Sequence, residues 1–352
     1  MKLLTLAGGT VTIKKQKQFF ACLKTAYLTS FILLFFIFFS SLSGFSKTAH
    51  PKTFWLKQDL VIGKESGDQN LVLAGVENIA LDSEENIYVL DRKNFRIQKF
   101  SPEGRFLSSV IIGRGQGPDE VSAILSMAVT EIGGIYALDR DGRKILIIDK
   151  KGNFKKSFNL EFNATNIVSC SNQELVILGF YRDLILHVFS LDGVYLNSFG
   201  VPFEVPASCA KYKIFPQIKL SKRADFSRDG TILLVNPYKY EIVTYKKSKI
   251  DGIISYKSDF FRPLEIKEQG EGMISMVFPW VSALKYQNRL YVTIDDLNSE
   301  TPNQLDIFEN GKFASSVKLK GFAYAVDEKG RIYCAEGEDV PQVVRYFVQE
   351  GK

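Results

Sequence analysis

The sequence predicts an all-β fold: a six-bladed β-propeller of four-stranded antiparallel blades, with the N-terminal strand closing the last blade. Three observations predict it. One pattern of apolar strand, turn, strand, loop and strand recurs between Ile79 and the C-terminus, and repeats spaced by roughly 40–50 residues mark propeller-type arrays. The strand segments are apolar on both faces, as sheets sandwiched between neighbouring sheets must be. Past the N-terminal segment no stretch sustains a helical apolar period, which argues against a helical solenoid.

The first copy is the clearest. Asn78-Ile79-Ala80-Leu81 is a strand, Asp82-Ser83-Glu84-Glu85-Asn86 a turn, and Ile87-Tyr88-Val89-Leu90-Asp91 a second strand. Arg92-Lys93-Asn94 then leads into Phe95-Arg96-Ile97-Gln98-Lys99-Phe100. The second copy runs through Met127-Ala128-Val129, Ile135-Tyr136-Ala137-Leu138-Asp139 and Lys144-Ile145-Leu146-Ile147-Ile148. Weaker copies begin near Ile167, Ala224, Ser282 and Tyr324. All are rich in the β-branched and aromatic residues that suit a pleated, packed surface. Glycine marks the turns that need positive φ, at Gly104, Gly152, Gly193, Gly230, Gly311 and Gly330.

A radial array leaves no long edges only when it closes. The last copy supplies three strands and then the chain ends. Its fourth must come from the start of the array, and Trp55-Leu56-Lys57-Gln58-Asp59-Leu60-Val61-Ile62-Gly63 parallels the end of the first copy, Phe106-Leu107-Ser108-Ser109-Val110-Ile111-Ile112-Gly113.

At Asn86-Ile87-Tyr88-Val89-Leu90-Asp91, Asn94-Phe95-Arg96-Ile97-Gln98-Lys99-Phe100 and Gly104-Arg105-Phe106 the chain resembles the NHL-repeat, six-bladed β-propeller family. Gly113-Arg114-Gly115-Gln116-Gly117-Pro118-Asp119-Glu120 is similar to the inter-blade linker of bacterial members. The resemblance covers about residues 54–348 and loses its Asn–Arg–Ile signature after the second blade. It implies the fold and a binding role, and no single activity, because the family includes scaffolds, lyases and lactonase-like proteins.

Three segments follow: residues 1–46, a signal peptide or N-terminal membrane anchor; 47–53, a linker; and 54–352, the propeller. The first carries five lysines, Lys2, Lys14, Lys15, Lys17 and Lys24, and no acid. The net charge of +6 therefore falls to about neutral over the remainder, which leaves no basic signature for nucleic acid. The apolar run from Tyr27 to Phe39 is shorter than the ~20 residues of a membrane span and suits a signal core. Small residues at Ser41, Ser43, Gly44 and Ser46 suit cleavage. The expected address is outside the cytoplasmic membrane: periplasmic, secreted, or anchored through residues 27–45. Cys170, Cys209 and Cys334 have no metal spacing; Cys170 and Cys334 fall on or beside strands as core thiols.

Chemistry is sparse. His50 lies in the linker and His187 in a strand, too few for a zinc site or a Ser–His–Asp triad. No catalytic residue and no resident cofactor is assigned. Lactonase-like propellers hold calcium in the central channel, and for that alternative Glu77, Asn78, Asn166 and Asp225 are the candidate ligands. The recurring Asp91 and Asp139, with Arg96, read as structural braces that bond loop amides and neighbouring strands.

In a blade, the turn between the second and third strands and the link to the next blade emerge on one face. The longest insertions, 201–223, 258–279 and 295–304, fall there, and insertions gathered on one face mark a binding face. The candidate binding residues are Arg92, Lys93, Arg114, Arg140, Arg143, Tyr181, Arg182, Tyr238 and Trp280. The expected function is non-catalytic binding of a protein or small molecule there. A calcium-dependent lactonase-like hydrolase is the alternative, and a structural module of a surface complex a third reading.

Overall fold

The structure, a computed structural model, describes residues 52–351 apart from 140, 142, 170–173, 213–222, 271–272, 278 and 296–302. The N-terminal segment with His50, and Cys170, lie outside the described residues. Six four-stranded antiparallel sheets follow one another. Blade 1 is Val76–Leu81, Ile87–Asp91, Arg96–Phe100 and Phe106–Ile111. Blade 2 is Ile124–Val129, Ile135–Asp139, Lys144–Ile148 and Phe154–Asn159. Blade 3 is Ala164–Ser169, Glu174–Tyr181, Leu184–Ser190 and Tyr195–Phe199. Blade 4 is Ala224–Phe226, Ile232–Val235, Glu241–Lys246 and Lys249–Ser255. Blade 5 is Trp280–Tyr286, Arg289–Asp295, Asn303–Glu309 and Lys312–Leu319. Blade 6 is Phe322–Val326, Arg331–Glu336, Gln342–Glu350 and, from the other end of the chain, Phe54–Ile62.

The repeat is a packing device. Successive side chains of a strand point to opposite faces. In Ile87–Asp91, Ile87 and Val89 enter the wall shared with blade 6, and Tyr88 and Leu90 enter the wall shared with blade 2. Similar apolar walls separate each of the other neighbouring blades. Hence the second and third strands are apolar on both faces. The fourth strands depart from that pattern: Phe154–Asn159 and Tyr195–Phe199 are largely exposed, because nothing packs outside them.

The turns repeat as the strands do. Asp82, Thr130, Ser227 and Asp327 each open a tight turn after a first strand, and Ser101, Asp149 and Ser190 each open one after a third strand. Their side-chain oxygens accept turn amides, as when Asp327 Oδ1 takes Lys329 N and Arg331 N, each at 2.9 Å. Gly330 has φ +75°, and a Cβ there would lie 2.8 Å from the Tyr286 ring, so the position demands glycine. The aspartates at the second-strand ends act as braces. Asp91 Oδ1 accepts Ala74 N at 3.0 Å and Gly75 N at 3.1 Å, while Oδ2 accepts Arg96 Nε at 2.9 Å. Asp139 Oδ1 does the same for Ser122 N at 3.0 Å.

Closure is explicit. Phe54–Ile62 pairs antiparallel with Gln342–Glu350, with a bulge between Gln58 and Leu60. Arg345, its side chain 7% exposed, locks this pairing. It donates to both Asp59 oxygens at 2.9 and 3.0 Å, to the Pro102 carbonyl of blade 1 at 2.7 Å and to the Tyr333 hydroxyl at 3.2 Å. Arg331 adds a second tie, from Asp327 to Glu85 of blade 1 at 2.8 Å.

Removing residues 54–63 is expected to abolish the cooperative melt and to cause aggregation through the bared edge of the third strand. Arg345→Met is expected to cost about 2 kcal/mol, because it removes the charge-assisted bonds that tie Asp59 and the Pro102 carbonyl at the seam. Denaturant unfolding with size-exclusion chromatography checks both; unchanged stability of the deletion would refute closure by this strand.

Candidate functional site

The first strands of the six blades surround a central channel. A cavity of ≈ 690 Å³ occupies it, reaching from the middle of those strands to the tight-turn rim. Small polar residues stitch neighbouring first strands together around it. Asn166 Nδ2 donates to Ser126 Oγ at 3.1 Å, and Ala224 N donates to Asn166 Oδ1 at 3.2 Å. Ala283 N donates to Asp225 Oδ2 at 3.0 Å, and Ser282 Oγ to the Ala323 carbonyl at 2.8 Å. Blades 2 to 6 are linked in this way. Asn78, at the matching place in blade 1, is 8% exposed, lines the cavity and has no side-chain hydrogen-bond partner among the described residues.

Two arginines cross the channel at different levels. Arg223, just before the first strand of blade 4, reaches past blade 5: Nε donates to Asp225 Oδ1 at 2.5 Å and Nη2 to the Tyr324 carbonyl of blade 6 at 3.1 Å, with the guanidinium 4.7 Å from the Tyr324 ring centroid. Burial pushes the Asp225 carboxyl above the usual range, against the nearby Arg223 charge and the Ala283 amide. Arg228, at the tip of the blade 4 turn, crosses the rim. It pairs with Glu328 of blade 6 and donates to the Asp82 carbonyl of blade 1 at 3.3 Å. Lys285 Nζ binds Asp229 Oδ2 at 2.8 Å and Thr231 Oγ1 at 3.1 Å. Despite partial burial, Lys285 with the Ser227 and Thr231 bonds holds the Asp229 carboxyl well below the usual range.

The loop-rich face carries the residues that the sequence singled out. Arg92 lies 3.2 Å from Glu77, and Lys93 packs over Gly75. Arg114 covers the Phe95 ring at 4.8 Å. Arg143 donates to Asn163 at 2.6 Å. Tyr181 bonds Glu161 and stacks on Phe162 at 5.4 Å, with Arg182 over its other side at 4.8 Å. Tyr238 is half-buried, and burial pushes its hydroxyl up. Trp280 meets Phe322 edge-on at 6.1 Å. Arg140 lies outside the described residues. The described ones are spread over five blades, each with a local partner, and do not line the channel cavity.

Of the candidate calcium ligands, Asn78, Asn166 and Asp225 do line the cavity, whereas Glu77 pairs with Arg92. Among the described residues no group of three His, Cys, Asp or Glu side chains is placed to hold a metal ion, and no helix is long and apolar enough to cross a membrane. Arg223, Arg228 and Lys285 were not singled out from sequence. A trace of them was present in Ser227-Arg228-Asp229-Gly230, where a turn otherwise built from small polar residues carries an arginine at its tip.

Solved structures share this fold. A Bacteroides fragilis protein described as a candidate for export is 12% identical with a TM-score of 0.55, over 84% of this chain and 96% of that one. A DUF4221-family protein from Bacteroides vulgatus is 9% identical at 0.56, over 86% and 100%. Virginiamycin B lyase from Staphylococcus aureus is 11% identical at 0.51, over 84% and 99%. No curated protein matches the chain in sequence. The DUF5128 family, described as a six-bladed β-propeller, matches residues 65–278, more than half of the chain, and the chain belongs to that family.

Proposed function

We propose that the protein is an exported, non-catalytic binding propeller whose small-molecule ligand sits in the central channel. The observation that carries this reading is the ≈ 690 Å³ cavity with mixed apolar and polar walls, a size typical of small-molecule sites. The basic, apolar and small-residue order of residues 1–46 supports export, as does likeness to a protein described as a candidate for export. The NHL-type signature of the first blades fits a recognition role.

Catalysis finds little support in the side chains. His187 is fully buried in blade 3, 4.3 Å from the Phe162 ring. Its Nε2 lies 3.0 Å from the Gly179 carbonyl, which can only accept, so Nε2 donates and Nδ1 takes the Ser198 hydroxyl at 2.6 Å. The ring is a packed, neutral cross-strand partner. The calcium-dependent hydrolase reading would draw on Asn166 and Asp225, and the carboxamide of Asn166 and both oxygens of Asp225 are engaged by blade contacts. A protein partner on the loop-rich face is the second reading. The insertions there brace one another, since Lys211 and Tyr212 both bind Glu268, at 2.6 and 2.7 Å.

Burial lowers the His187 pKa from the ordinary 6.5, so the unfolded chain binds the extra proton first. Its contribution to stability is present above pH 6.5 and is lost as pH falls through the folded-state value. The melting temperature of the wild type is expected to drop more between pH 6.5 and 5 than that of His187→Gln; parallel profiles would contradict the buried neutral ring.

The function itself is tested by capture. Purified protein is equilibrated with extracytoplasmic small molecules, recovered, and its cargo and metal content measured by mass spectrometry. Wild type and the Arg92→Ala/Arg114→Ala/Arg140→Ala triple variant are expected to return the same cargo. Ala325→Trp, which fills a partly exposed wall position, is expected to return none; Ala80→Trp substitutes if it fails to fold. Loss of cargo in the triple variant alone places the ligand on the loop-rich face, and stoichiometric calcium favours the hydrolase.

A further inference from the structure

The rim of the channel is spanned by a contact that chemistry makes easy to exchange. Arg228 spans from blade 4 to blades 6 and 1, yet its ion partner Glu328 has a side chain 64% exposed and Arg228 itself is 39% exposed. Such solvated pairs contribute little net stability. The other cations that face the cavity are committed more deeply. Arg223 is wedged between Asp225 and the Tyr324 carbonyl, and Lys285 sits on Asp229 and Thr231.

The charge around the cavity is unbalanced. Six carboxylates line it, Asp82, Glu131, Asp225, Asp229, Asp327 and Glu328, against the three cations Arg223, Arg228 and Lys285. Asp82 has Lys99 behind it at 3.3 Å, and Asp327 has Arg331 at 2.5 Å. Glu131 at the rim is exposed and, among the described residues, has no ion-pair partner. If Arg228 swings out, Glu131, Glu328 and the Asp82 carbonyl face the channel together, as an acceptor set without a donor.

A second observation lies at the inner end. In blade 6 the matching place is Ala323, which offers only its carbonyl; among the polar side chains at these places Asn78 alone has no hydrogen-bond partner among the described residues, although it is more than nine-tenths buried. Its carboxamide lines the cavity and can both donate and accept there. Asp82 lies four positions after Asn78, about 13 Å along a strand. Apolar side chains, among them Leu81, Val129 and Val326, lie between.

We propose that the channel takes an elongated cationic ligand, bearing a primary amine or guanidinium that replaces Arg228 at Glu328 and the Asp82 carbonyl, with its far end hydrogen-bonded to Asn78. Arg228 is the seat's internal occupant and competes with the ligand's head group. This rests on the channel being the ligand seat.

The test is calorimetric titration of the full mature chain with three probes of similar length: agmatine, glutarate and 1,5-pentanediol. Removing the internal competitor in Arg228→Ala is expected to tighten agmatine by about tenfold; Arg228→Gln serves where the first is unstable. Adding Glu328→Gln to Arg228→Ala is expected to reverse the gain, and Asn78→Ala to weaken agmatine in either background. Ala325→Trp is expected to abolish binding. Glutarate or pentanediol binding that Ala325→Trp abolishes, without agmatine binding, overturns the cationic ligand and leaves the channel reading standing. Agmatine binding that Ala325→Trp does not touch overturns the channel reading itself. Equal agmatine affinity in wild type and Arg228→Ala, or none in any variant, overturns the proposal.

Discussion

A ring of sheets buries every face only if the last sheet meets the first, so the whole structure depends on the seam between blade 6 and blade 1. The chain solves this by giving blade 6 strands from both of its ends. Backbone pairing from Phe54 to Ile62 supplies register. Arg345 then binds the incoming strand through Asp59 and the next blade through the Pro102 carbonyl. Arg331, held on Asp327 of its own blade, reaches the next blade at Glu85. Two buried guanidiniums thus turn an edge, which would otherwise template aggregation, into one more internal wall. Its apolar part, Ile62, Tyr333 and Val343 against Ile79, Ile87 and Val89, matches those elsewhere in the ring.

Closure also creates the channel. Once six walls are packed, each first strand faces the axis, and the short polar links from Ser126 to Ala323 hold most of those strands to one another. The links stop at blade 1. Asn78 is left facing the cavity with both hydrogen-bonding functions uncommitted. Among the described residues the fully buried side-chain atoms without a partner are Gln98 Oε1 and Thr293 Oγ1, inside the blades; Asn78 instead opens onto a cavity, a place suited to an outside partner.

The architecture was legible because it is local and repeated. A period of two within each strand, glycines at the turns and the similarity of the Trp55–Gly63 segment to Phe106–Gly113 were enough to expect six blades and a shared last sheet. The bracing roles of Asp91, Asp139 and Arg96 were legible for the same reason, since a residue that recurs in every good copy serves the copy. The cavity was not legible. Its distinctive contacts join residues far apart in sequence, such as Arg228 with Asp82 and Arg223 with Tyr324. They meet because the ring brings blade 4 opposite blade 1, and they sit in copies where the repeat signature has decayed. Asn166 and Asp225 were found from sequence as polar residues near the channel, but the structure uses them to bind the next blade. Long insertions drew attention to the opposite face, where Arg92, Arg143 and Tyr181 are spaced apart around the ring.

The central claim, that the channel is where this propeller meets its ligand, is tested most directly by a crystal structure of the protein isolated from its native source. The account predicts continuous ordered density between the Asn78 carboxamide and the tight-turn rim, with Arg228 displaced from Glu328. An unoccupied channel with Arg228 still on Glu328, together with ordered density against Arg92, Tyr181 or Trp280, would contradict it.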